Sequence, residues 1–205
     1  MISNNIFSTT PIPNGSSWSI VSKFGYILNI AESKYGKRNQ KYTILGIELT
    51  DRSYPQIWFP SSVFPNSIII QITDNRIGDL NGAIYQLAHE TIHCLGPHPG
   101  INANVLEEGL ATHFSAEYMD QHEGQPDWHP AETDYKYVLA LKCIKKALEI
   151  DPNIITKLVA KERNFVNITE DMILEVSPEF PRDLAKILTT DFYNYSWIEL
   201  ANKIE

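Results

Sequence analysis

Cysteine is scarce in this chain: Cys94 and Cys143 are the only two among 205 residues, without a framework spacing. That excludes a disulfide scaffold and fits a reducing compartment. Positive charge is short as well. Lys plus Arg total 17 against 25 Asp plus Glu, a formal charge of -8, and no stretch concentrates the basic residues, which argues against a nucleic-acid partner. No window approaches the ~20 consecutive apolar residues of a membrane span. Residues 1 to 7 lack the basic start and apolar run of a secretory leader. Repeats and low-complexity tracts are missing too, so the expectation is a cytoplasmic protein without a membrane partner.

What is present suits one globular domain over residues 1–205. At 43% hydrophobic and 11% aromatic, a chain of this length buries roughly 70% of its unfolded surface. Residues 1 to 15 read as a polar arm rich in Pro, Asn and Ser. Helical spacing follows from Ser17 to Tyr35, then three β-branched runs read as strands at Tyr42 to Leu49, Gln56 to Phe59 and Ser67 to Thr73. Apolar residues three and four apart predict a helix from Asp79 to Leu95, with Asp79 as N-cap and Gly96-Pro97 as stop, and a second from Asn104 to about Asp120. A loop, Gln121 to Pro130, carries His122, Trp128 and His129 and reads as a surface turn or as a rim over a cleft. Beyond it, helices are expected over 132–150, 153–163, 169–176 and 179–189, with Thr169 and Ser177 as caps. The fold class is α+β: a small N-terminal mixed sheet with a helix (1–78), two central helices (79–120) and a helical C-terminal part (121–205).

One run in the first central helix carries chemistry: His89-Glu90-Thr91-Ile92-His93. Residues four apart sit one above the other on a helix, roughly 6 Å along the axis, so the two imidazoles can share one metal ion, and Glu90 borders the same face. A metal with an open position activates water, and a neighbouring carboxylate takes its proton. Chance yields this pattern in roughly one chain in a hundred of such composition, so context decides. The core stripe of Leu80, Ala83, Ile84, Leu87, Ala88, Ile92 and Leu95 leaves His89 about opposite its centre and His93 beside it. Both are therefore expected to face a cleft.

The second central helix opens Leu106-Glu107-Glu108-Gly109-Leu110-Ala111. Here the sequence resembles the gluzincin metallopeptidases, in which an HExxH helix is followed by one carrying the third zinc ligand in an L-x-E-G-x-A type pattern. The resemblance, which spans about 35 residues, implies His89, His93 and Glu108 as Zn2+ ligands, Glu90 as catalytic base and a zincin-like fold. It also implies an edge strand that pairs with an extended substrate. The helical wheel agrees, turning Glu108 away from the apolar stripe and Glu107 into its edge, where it can hydrogen-bond a ligand. His98 is a rival third ligand. The metzincin pattern would place that ligand at Pro99, which cannot bind zinc, and the upstream cysteine of peptide deformylases is lacking. No G-x-M-E-N segment precedes the motif, so the amine anchor of the large aminopeptidases has no counterpart. The looked-for oxyanion donor is sought among His113, Tyr118, Tyr135, Tyr137, Tyr193 and Tyr195, with Tyr135 and Tyr137 preferred.

The resulting expectation is a zinc metallopeptidase that hydrolyses peptide or protein substrates. The alternative is a zinc-stabilised binding or regulatory protein that keeps the fold without the activity. A metal-free α+β domain is a third and weaker reading.

Overall fold

A computed structural model of the chain describes residues 20–60, 64–76, 78–126, 130 and 134–204. Among these, helix α1 (Ile20–Tyr35) precedes strands β1 (Thr43–Thr50), β2 (Gln56–Trp58) and β3 (Ser67–Thr73). Helices α2 (Leu80–His93), α3 (Val105–His122), α4 (Tyr135–Ile150), α5 (Ile154–Lys161), α6 (Glu170–Val176), α7 (Arg182–Leu188) and α8 (Ser196–Ala201) follow. The α+β arrangement expected from the sequence is the one observed. The sheet is mixed, in the order β1-β3-β2, with β1 parallel and β2 antiparallel to β3.

Alternation in β3 decides which face of the sheet is dry. Ile68, Ile70 and Ile72 are fully buried, while Gln71 on the other face bridges Glu48 of β1 and Gln56 of β2 through side-chain hydrogen bonds. Helices α1 and α2 pack against the sheet, and α3 and α4 extend the core away from it. Among the described residues, strand β2 is an edge of the sheet, with no other strand paired on its outer side.

Both central helices begin on the caps their sequences call for. Asp79 accepts from the Gly82 amide at 2.9 Å and Asn104 from the Glu107 amide at 3.0 Å. Helix α3 runs two residues past Asp120, which places His122 inside it. Trp128, His129 and the arm over residues 1 to 15 lie outside the described residues. Thr169 caps α6 as expected. Ser177 does not start the next helix: it ends α6, and α7 begins after Pro181. The physical reason is Pro181 itself, because the residue before a proline is pushed toward extended backbone and Phe180 cannot continue a helix through it.

Gly109 makes the closest helix contact of functional interest. A Cβ there would lie 2.6 Å from the Ala140 carbonyl oxygen and 2.7 Å from Ile144 Cγ1, so α3 and α4 meet through this hydrogen-only position. Helix propensity alone favours alanine over glycine by about 1 kcal/mol. Gly109→Ala is nonetheless expected to destabilise the protein by about 1–3 kcal/mol through overpacking, read as a lower urea midpoint. A neutral or stabilising result would mean that the two helices are not held this close.

Candidate metal centre

Helix α2 is buried on every side from Gly82 to His93, so its polar residues are present in the interior against a desolvation cost that partners must offset. His89, Glu90 and His93 are 9%, 2% and 7% exposed. The partners come from the first turn of α3. His89 Nε2 lies 3.2 Å from Glu108 Oε2, and His93 Nε2 lies 4.0 Å from Glu108 Oε1. His89, His93 and Glu108 form a buried group whose ligand atoms lie within 4.8 Å of one another, and this group could hold a metal ion. Tetrahedral bonds of about 2.0–2.1 Å set ligand atoms about 3.3 Å apart. The His89–Glu108 pair already has about that spacing, and the His93 nitrogen has to close on Glu108 from 4.0 Å.

Glu107 does not belong to that group. It is fully buried, with its Oε1 2.8 Å from His93 Nδ1, the contact expected from its place on the helical wheel. Holding the Nδ1 proton in place makes Nε2 the nitrogen that His93 can turn to an ion once its other proton is lost. His98, the rival third ligand, is also turned toward Glu107: its Nε2 lies 2.8 Å from Oε2 and 3.1 Å from Oε1.

Electrostatics follow from these contacts. Burial raises Glu107, but hydrogen bonds from His93 and His98 and their charges outweigh it and bring its pKa down to about 2. Burial also raises Glu108, and His89 and His93 reverse it, leaving that carboxyl below the ordinary range. At His93 burial lowers the pKa, yet the hydrogen bond to Glu107 and the charges of Glu108, Glu107 and Glu90 lift it to about 10. Glu90 moves the other way: burial, helped by Glu108 and Glu107 and opposed by His93 and His89, holds it above the ordinary carboxylate range.

The triad opens on a cleft of about 350 Å³ that is also lined by Glu90, Tyr137 and Tyr193. Edge strand β2 and the residues before it supply one wall with Tyr54, Gln56 and Ile57; the loop from Gly100 to Ala103 supplies another. Tyr137 stands edge-on to His89, ring centroids 6.0 Å apart, with its other side against Phe192. Its place follows from Gly109, since Tyr137 lies one helical turn before Ala140. Of the oxyanion candidates only Tyr137 and Tyr193 line the cleft. Tyr135 does not. It is 56% exposed and bonds Asn202, because two residues along a helix turn a side chain by about 200°. His113, Tyr118 and Tyr195 are likewise not among the lining residues.

Tyr193 arrives by a strap from the far end of the chain. Phe192 N donates to Ala103 O at 3.0 Å and Val105 N to Thr190 O at 2.9 Å, around an isolated bridge between Asn104 and Asp191. Trp197 Nε1 donates to Phe192 O at 3.1 Å and anchors the strap. Tyr193 is a donor candidate from the sequence, but nothing in the sequence signals the strap, nor that Tyr54 and Ile101 form cleft walls.

No protein-family model, curated protein or solved structure matches this chain.

A metal ion entering this site must expel the proton that His93 carries at neutral pH, because its pKa lies near 10. Metal affinity is therefore expected to rise with pH through the neutral range, with release of about one proton per ion. Calorimetry in buffers of different ionisation enthalpy measures both. Affinity that is flat between pH 6 and 8 would contradict this account of His93.

Proposed function

We propose that this protein is a zinc-dependent peptidase that hydrolyses peptide bonds within an extended substrate. The observation that carries the reading is the buried His89–His93–Glu108 donor group, opening on the same cleft as a buried Glu90. Two imidazoles and one carboxylate with room for a fourth ligand are a donor set that suits catalytic zinc. Zinc held there would act as a Lewis acid and lower the pKa of a water molecule to about 7.

The chain's own residues do the rest. Glu90 takes the proton from the attacking water and hands it to the departing amine nitrogen as the peptide C–N bond breaks. Its raised pKa fits a group that must first accept a proton and then release it. Tyr137 donates its phenolic hydrogen to the oxygen that gains charge when the carbonyl carbon becomes tetrahedral. Burial, with Glu108, Tyr193, Glu90 and Asp134 around it, keeps that phenol protonated. The edge of β2, unpaired among the described residues, offers backbone N–H and C=O groups to an extended chain. Tyr54, Ile57, Phe59 and Ile101 give the cleft an apolar lining for its side chains.

Incubating a broad peptide library with the zinc-loaded protein, with and without a chelator, tests the reading; it fails if no chelator-sensitive cleavage is found. Glu90→Gln is expected to abolish hydrolysis while zinc stays bound at one ion per chain. Tyr137→Phe should lower kcat by about 10²–10³ with little change in KM. Should Tyr193→Phe carry that loss instead, the donor is on the strap and not on α4.

A further inference from the structure

His98 sits between Pro97 and Pro99 in the loop joining α2 to α3. Proline fixes its own backbone φ and restricts the residue before it, so this short stretch is stiff. Both ring nitrogens of His98 face acceptors: Nδ1 lies 3.1 Å from Ile101 O, and Nε2 lies 2.8 Å from the Glu107 carboxylate. A neutral imidazole has one N–H and one lone pair. It satisfies one of these contacts and sets a lone pair against an acceptor in the other. Only the imidazolium donates to both.

Building on the metal centre described above, we propose that His98 is a positioning residue for it. Its Nε2 reaches both oxygens of the Glu107 carboxylate and clamps that group in place. That fixes the carboxylate as the acceptor for His93 Nδ1–H and keeps His93 Nε2 directed at the ion. The same ring ties down the turn from His98 to Ile101, in which Gly100 has φ +75° and whose Gly100 and Ile101 line the cleft. One side chain thus couples ligand orientation to the shape of a substrate wall.

The test is zinc affinity by chelator competition, with folding followed by circular dichroism. His98→Ala is expected to weaken zinc binding about 10–100-fold, the usual cost of losing an outer partner of a metal ligand. His98→Gln, which keeps a donor toward Glu107 without the charge, should recover part of the loss. A folded His98→Ala variant that binds zinc within about threefold of the parent overturns the proposal while leaving the metal centre intact. A parent protein that binds no stoichiometric zinc overturns the metal centre itself. If His98→Ala does not fold, nitrogen-15 NMR of the zinc-loaded parent decides. Two protonated ring nitrogens at His98 support the proposal, and an unprotonated one overturns it.

Discussion

Three carboxylates in the interior set the terms for everything around them. Glu90, Glu107 and Glu108 come from two helices and are 2%, 0% and 6% exposed, so each needs a positive or hydrogen-bonding partner at close range. Helix α2 brings imidazoles at positions four apart, and the first turn of α3 brings two adjacent glutamates. Adjacent helical residues point about 100° apart, so neighbouring carboxylates serve different nitrogens. Glu108 meets the inner nitrogens of His89 and His93; Glu107 meets the outer nitrogen of His93. Their position in the first turn is itself favourable, since the positive end of the helix dipole lies there.

Close backbone approach is what lets so polar a centre sit inside a dry core. Gly96 would drive a Cβ to 2.0 Å from the Arg163 carbonyl oxygen, so the turn after α2 rests on backbone at 163–164. The start of α3 uses the same support, with Asn104 Nδ2 donating to Phe165 O at 2.8 Å. Thus one segment holds the loop at both ends, and α3 enters at a fixed height relative to α2. The Gly109 contact then fixes α4 and, through it, the ring of Tyr137.

Local chemistry was legible in the sequence where it depended on spacing along one helix. The His89–His93 pair, the caps at Asp79 and Asn104, the different directions of Glu107 and Glu108 and the three strands all follow from periodicity and cap preference. The choice of Glu108 as the third member came from the family pattern, and the wheel agreed with it. What depended on chain folding back was not legible. His98 follows a helix end and a proline, and nothing in the sequence says which way its ring turns, so it read as a rival ligand when its partner is Glu107. Tyr135 and Tyr137 are both aromatic on one helix, and only the contact with α3 selects between them. The helix expected from 179 began at Arg182 because Pro181 interrupts it.

The strap that carries Tyr193 has a consequence in time. Polypeptides are made from the amino terminus, so α2 and the first turn of α3 exist long before residues 190–197 are joined to the chain. A nascent protein can assemble its imidazoles and carboxylates first, while the pairing of Asp191 with Asn104 waits for about eighty further residues. The cleft therefore acquires the wall that carries Tyr193 later than its metal-binding face, and for that interval the growing chain has the one without the other.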